Sequence, residues 1–199
     1  DTDTNGVWIL TGGVSDLRTL RSVDNGLTWT RVQTSVGANA ASAVSCGRLG
    51  TWILIASNVV WRSTDNGATW SLIGNTTTSA IYAISNNGKG VWVSVGSNSG
   101  SNNLVRSADN GLTWSVILAG VNSEVLYSVT NDYAGNWFVG TSTGRILRSV
   151  NEGQSWTIIT AATTGFLTTD VVSALVMINS DVLAFGYIAT AGNYSKGRR

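Results

Sequence analysis

Short apolar runs, alternating or continuous, follow one another along the whole chain, each closed by Gly, Asn, Ser or Thr, and no stretch keeps a helical period. That pattern predicts strands joined by tight turns. One of the runs carries a tryptophan and recurs as Gly6-Val7-Trp8-Ile9-Leu10, Gly50-Thr51-Trp52-Ile53-Leu54, Gly90-Val91-Trp92-Val93-Ser94 and Gly135-Asn136-Trp137-Phe138-Val139. Asp181-Val182-Leu183-Ala184-Phe185 stands as a degenerate fifth copy. A looser β-rich run precedes it, as in Ile81-Tyr82-Ala83-Ile84, Val125-Leu126-Tyr127-Ser128-Val129 and Val171-Val172-Ser173. Each unit therefore predicts four strands, A to D; in the third unit they fall at about 80–85, 90–96, 103–107 and 112–118.

A second motif keeps the same beat between strands C and D. It consists of Ser22, Asp24, Gly26, Thr28 and Trp29, then Ser63, Asp65, Gly67, Thr69 and Trp70, then Ser107, Asp109, Gly111, Thr113 and Trp114. The fourth copy has drifted to Ser149, Asn151, Gly153, Ser155 and Trp156. Its serines lie 41, 44 and 42 residues apart, and an arginine (Arg21, Arg62, Arg106, Arg148) precedes each one. The chemistry is that of a hairpin. Glycine takes positive φ without a Cβ clash. The carboxylate accepts backbone N–H groups, and the hydroxyls join it. The tryptophan supplies a broad ring to pack between units. A period near 43 residues with four strands per unit predicts a propeller.

Ser-x-Asp-x-Gly-x-Thr-Trp resembles the Asp-box, or bacterial neuraminidase (BNR) repeat, of the sialidase-like propellers. The resemblance spans nearly the whole chain through its periodicity. It implies an all-β fold: a β-propeller of four-stranded antiparallel blades with the box on each C–D hairpin, about five blades or part of a larger ring. The units fall at about 1–33, 38–74, 78–118, 123–160 and 168–199, forming one domain. The family includes sialidases, xyloglucan-type glycosidases, sortilin-type receptor domains, a photosystem assembly factor and phage tail or fibre proteins. The box is a folding device in all of them, so the resemblance implies a fold and not an activity.

Composition narrows the chemistry. Hydrophobic residues are 43% and charged residues 12%, as in a packed globular domain. The net charge of +1 offers no field for nucleic acid or an anionic membrane, and no run is long enough to insert into a bilayer. There is no histidine and one cysteine, so Ser-His-Asp and Cys-His catalysis and the usual zinc sites are excluded within the chain. No metal or cofactor is expected.

Resemblance to sialidases would imply an arginine triad, a Tyr/Glu pair and an acid/base carboxylate. The box arginines occupy equivalent places, which argues for a structural role on strand C, such as covering a tryptophan or bonding a neighbour. On the face opposite the boxes, Asp16 and Arg18 (first B–C connection), Asn98 and Asn102, Glu124 (D–A connection), Arg145 and Tyr187 are the candidate ligand-binding residues. The loops there are rich in Asn, Ser and Thr, which offer paired donors and acceptors without charge, as sugar hydroxyls require. The leading expectation is a non-catalytic interaction or structural propeller outside a cell or on a virion, with a glycan or another protein surface as partner. The rival expectations are a glycoside hydrolase, whole or in part, and an assembly scaffold. Convergence of Asp16, Arg18, Glu124, Arg145 and Tyr187 in one pocket would favour the enzyme.

Overall fold

The computed structural model describes residues 1–3, 5–12, 18–33, 41–47, 50–75, 80–97, 103–121, 123–178, 181–188 and 195–198. Five antiparallel sheets follow one another along the chain. Blade 1 holds β1 (Trp8–Leu10), β2 (Arg18–Ser22) and β3 (Thr30–Gln33). Blade 2 holds β4 (Ala41–Cys46), β5 (Trp52–Ala56), β6 (Val59–Ser63) and β7 (Ser71–Asn75). Blade 3 holds β8 (Ala80–Asn86), β9 (Trp92–Ser97), β10 (Leu104–Ser107) and β11 (Ser115–Val116). Blade 4 holds β12 (Leu126–Asn131), β13 (Trp137–Thr141), β14 (Ile146–Ser149) and β15 (Thr157–Ile159). A one-turn helix, α1 (Ala161–Thr164), leads into blade 5, which holds β16 (Asp170–Ile178), β17 (Asp181–Ile188) and β18 (Ser195–Arg198). Strands pair in chain order within every blade. The A strands β4, β8, β12 and β16 lie side by side, so the blades are arranged around an axis that these strands line.

The repeat is built at the box. In the first copy Asp24 accepts from the Thr28 amide at 2.9 Å and the Thr28 hydroxyl at 2.5 Å, and Ser22 donates to it at 2.7 Å. The indole of Trp29 donates to the Gly26 carbonyl at 2.9 Å. Copies two and three repeat these bonds. In the drifted copy Asn151 keeps the pattern with an amide, its oxygen accepting from Ser149 and the Ser155 N–H and its nitrogen donating to the Ser155 hydroxyl. The residue before each box glycine has positive φ: Asn25 58°, Asn66 55°, Asn110 60° and Glu152 58°.

Three of the four box arginines join blades, one of the two structural roles their equivalence suggested. Arg21 donates Nε to the Asn66 carbonyl (2.6 Å), Arg62 to Asn110 (2.8 Å) and Arg106 to Glu152 (2.6 Å). Each arginine thus grips the box turn of the following blade. Arg148 instead bonds Asn136 in its own blade, at 3.4 Å. Arg106→Gln is therefore expected to lower unfolding free energy by about 1.5–3 kcal/mol, the range for a hydrogen bond to a charged group. Arg148→Gln should cost under about 0.5 kcal/mol. Urea unfolding of the two variants checks the difference.

A second latch runs the other way along the inner strands. Asn131 at the end of β12 donates to the Asn86 carbonyl (2.8 Å), and Asn86 donates to the Cys46 carbonyl (2.5 Å). Cys46, half-buried, donates its N–H to Asp1 at 2.7 Å. Asp1 exchanges backbone bonds with Ile9, and Thr2 bridges Trp8, so this segment lies beside β1 on its axial side.

The fifth unit corrects the sequence alignment by one residue. In blades 2, 3 and 4 the motif tryptophan pairs with Cys46, Asn86 and Asn131, the fourth residue after a β-bulge at Ser42, Tyr82 and Tyr127. In blade 5 the bulge is Ser173 and the fourth residue after it, Met177, pairs with Val182. Val182, not Leu183, therefore takes the tryptophan's place, because the A–B turn is one residue shorter.

The boxes also set an acid limit. Hydrogen bonds from Ser22 and Thr28 hold the Asp24 carboxyl down at about 2. Burial pushes Asp65 and Asp109 up, but bonds from Thr69 and Ser63, and from Thr113 and Ser107, outweigh it and leave both below the ordinary value. A carboxylate whose folded pKa is depressed contributes stability above its unfolded pKa, about 4, and loses it as pH falls through the folded value. Melting temperature should thus decline from about pH 4 downward. Asp24→Asn, Asp65→Asn and Asp109→Asn combined should flatten that decline, as a pH series of thermal melts would show.

Candidate functional site

Among the described residues, the face opposite the boxes is formed by B–C turns, D–A connections and the first residues of the A strands. Near its start each A strand carries a bulge, where an extra residue leaves the ladder and its side chain is re-aimed. In blades 2 and 5 that residue is serine, and Ser42 and Ser173 bond back to the Ile55 and Phe185 carbonyls of their own blades. In blades 3 and 4 it is tyrosine. The rings of Tyr82 and Tyr127 stack across the seam with centroids 5.5 Å apart and planes 20° apart. Tyr82 is 45% exposed, and its hydroxyl shares a 3.4 Å hydrogen bond with Ser97. Burial raises the Tyr127 phenol above its ordinary pKa, and the neighbouring Tyr187 and Tyr82 add to the rise. The Tyr127 phenol is therefore neutral at neutral pH.

Tyr82 also lines a concavity of about 370 Å³ around the axis, together with Leu10, Ser42 and Ala83. A second concavity of about 520 Å³ shares Asp1, Val44 and Ile84 with it and reaches Asn86 and Tyr133 toward the box side. A third, of about 510 Å³, lies between A–B turns on the box side and is walled by Trp92 and three glycines, with Lys89 as its one charged side chain.

Of the candidate residues, Glu124 and Arg145 come together. Arg145 Nη1 meets Glu124 Oε1 at 2.7 Å, and the Thr143 hydroxyl donates to Oε2 at 2.7 Å. The Asn103 amide, itself buried, holds the connection by donating to the carbonyls of Val121 (3.1 Å) and Glu124 (2.8 Å). Both carboxylate oxygens of Glu124 are thus occupied. Arg145 remains 39% exposed, so the pair fixes geometry and adds under about 1 kcal/mol to stability. Tyr187 lies near Tyr127. Arg18 opens β2 rather than lying in a connection, and its side chain is outside the described residues, as are Asp16, Asn98 and Asn102.

A glycosidase needs two carboxylates across the scissile bond, about 5–9.5 Å apart. Glu124 is fully engaged, and Asp170 is buried and accepts from the Leu167 N–H. Asp1 and Asp3 hold backbone N–H groups. Asp132 and Asp181 stand at A–B turns on the box side. Among the described residues, therefore, Glu124 and Asp170 are the carboxylates on the face of the tyrosines outside the axial Asp1. No group of three or more His, Cys, Asp or Glu is placed to hold a metal among those residues.

The sequence reading missed Tyr82 and Tyr127. The trace was there: in blades 2, 3 and 4 the residue ten before the motif tryptophan is Ser42, Tyr82 or Tyr127. Two aromatics at one repeat position on adjacent units mark a shared surface.

The BNR/Asp-box repeat profile matches residues 61–72, the second box. No curated protein sequence matches the chain. Solved structures are similar in fold. An ancestral GH74 enzyme aligns with TM-score 0.70 at 14% identity, covering 99% of this chain and 30% of that one. The extracellular domain of the putative one-component system BT4673 from B. thetaiotaomicron aligns with TM-score 0.67 at 15% identity, covering 98% and 26%. YCF48 bound to D1 peptide aligns with TM-score 0.62 at 14% identity, covering 93% and 67%. The chain thus spans less than a third of the first two structures. Repeat and architecture agree, and the chain is a β-propeller whose hairpins carry the BNR/Asp-box.

Proposed function

We propose that the chain is a non-catalytic recognition propeller that binds carbohydrate on the face opposite its boxes, displayed outside a cell or on a virion. The observation that carries this reading is the stacked Tyr82–Tyr127 pair, in which Tyr82 is exposed and lines the axial concavity. A sugar ring has an apolar C–H face and an edge of hydroxyls. The former covers an aromatic ring, and the latter needs neutral donors and acceptors such as the Tyr82 and Ser97 hydroxyls. Glu124 and Arg145 serve as a rigid rim, since both oxygens of the acid are engaged. The low charge and the polar, uncharged loops support display in an extracellular setting.

Tyr82→Ala should weaken binding of the best hit from a glycan array at least about tenfold, an aromatic contact of roughly 1.4 kcal/mol or more, with little change in melting temperature. Tyr82→Phe should retain most of the affinity. An array without hits, or affinity indifferent to Tyr82→Ala, would overturn the reading. Turnover of a fluorogenic glycoside would replace it with the hydrolase.

A further inference from the structure

The A–B turn of blade 4 holds a tyrosine where blade 3 has a glycine. In blade 3 the Gly88 N–H donates to the Asn86 side chain at 2.9 Å, with Gly88 at φ +67°. In blade 4 the Tyr133 N–H donates to the Asn131 side chain at the same 2.9 Å, with Tyr133 at φ +58°. In this left-handed region an L side chain meets its own backbone, a clash that glycine escapes, and a bulky residue is an outlier there. Core packing does not offset the strain, because Tyr133 is 62% exposed. Its hydroxyl has no hydrogen-bond partner among the described residues. A strained residue that holds its ring in solvent points to a function outside the fold.

Tyr133 borders the concavity of about 520 Å³ toward the box side of the axis. Ser45 and Ser85, which hold the same place in β4 and β8, form part of its wall. Each accepts from an asparagine of the following blade, Ser45 from Asn86 at 3.2 Å and Ser85 from Asn131 at 3.0 Å. A hydroxyl that accepts in this way still has its own proton to donate. Neither proton has an acceptor among the described residues, although Ser45 is only 6% exposed. Asp1 is the one charged residue of the wall among those described, and its carboxylate accepts the Thr2 and Cys46 N–H groups.

We propose that this concavity is a second carbohydrate site, taking a neutral sugar ring that stacks on Tyr133 while its oxygens accept from Ser45 and Ser85. An aromatic face suits the C–H face of a sugar, and paired hydroxyl donors suit its oxygens. An anionic ligand would meet the Asp1 carboxylate, a like-charge contact that disfavours it. Ser45, Ser85 and Tyr133 belong to blades 2, 3 and 4, inside the arc. The site stands apart from the Tyr82–Tyr127 pair, at the other end of the A strands, so either can fail without the other. Two sites on opposite faces would let one chain bridge two glycans.

The test uses the Tyr82→Ala chain, which lacks the first site. A glycan array of neutral oligosaccharides probed with it is expected to retain hits, and calorimetric titration with the strongest should fit one site. Adding Tyr133→Gly should weaken that binding at least about tenfold without lowering the melting temperature, because glycine fits the turn. Adding Ser85→Ala should weaken it about threefold or more, the share of one hydrogen bond. An array without hits for the Tyr82→Ala chain, or a hit indifferent to Tyr133→Gly, would overturn this site whatever the unaltered chain binds. A melting temperature lowered by Tyr133→Gly would make the tyrosine a structural residue and overturn it as well.

Discussion

Trp92→Ala is expected to lower unfolding free energy by about 3–5 kcal/mol, the range for removing a large aromatic from a packed core. Trp92 is 0% exposed and sits among Ile53, Ile55, Val60 and Ile81, so it belongs to the seam between blades 2 and 3 rather than to one sheet. Its ring passes so close to Gly47 that a Cβ there would lie 2.6 Å from it. Its indole donates to Asn110 Oδ1 at 3.3 Å, which ties the A–B side of the blade to its box. Truncation opens a void that strands from two blades must line, and neither can collapse without losing ladder bonds. A urea titration should show the midpoint falling with an unchanged m-value. An unchanged midpoint would mean that blades 2 and 3 do not depend on this seam.

Gly111→Ala comes next, at about 2–5 kcal/mol. Two costs add. At φ +83° an L side chain strains the backbone by about 1–2 kcal/mol. The new Cβ would also meet Ile53 Cδ1 at 2.4 Å, and overpacking costs about 1–3 kcal/mol. Gly26 separates the two. Its φ is +84°, but its only near neighbour is the Trp29 ring at 3.7 Å, so Gly26→Ala should show the backbone cost alone. Equal losses at the two positions would show that the box turns do not press on the preceding blade. Thermal melts of the pair decide it.

The parts of the fold visible in the sequence are those that each blade repeats from its own residues. Box aspartates bond within four residues, so Asp24, Asp65 and Asp109 announce their hairpins locally. The tryptophan runs announce the B strands for the same reason. What crosses between blades was visible only as equivalence: Arg62 stands like Arg21, but nothing in its neighbours along the chain shows that its acceptor is Asn110, 48 residues away. The misplacement of Leu183 has the same source. A turn one residue shorter moves a strand by one place, and in a period of two that exchanges the faces. In the candidate site, Glu124 and Arg145 were legible because acid and base occur on connections facing the same way. The tyrosine platform was hidden by its bulge, which breaks the alternation that marks a side chain as facing in or out.

That bulge has an evolutionary consequence. A residue outside the ladder owes nothing to pairing, and the position already holds Ser42, Tyr82, Tyr127 and Ser173 across blades 2 to 5. Mutation can rewrite it without disturbing the ladder beneath, and on the proposed reading such a change would alter the ligand rather than the fold. Sequence diversity among related chains is therefore expected to gather at this position, while the hairpins at the opposite end stay fixed.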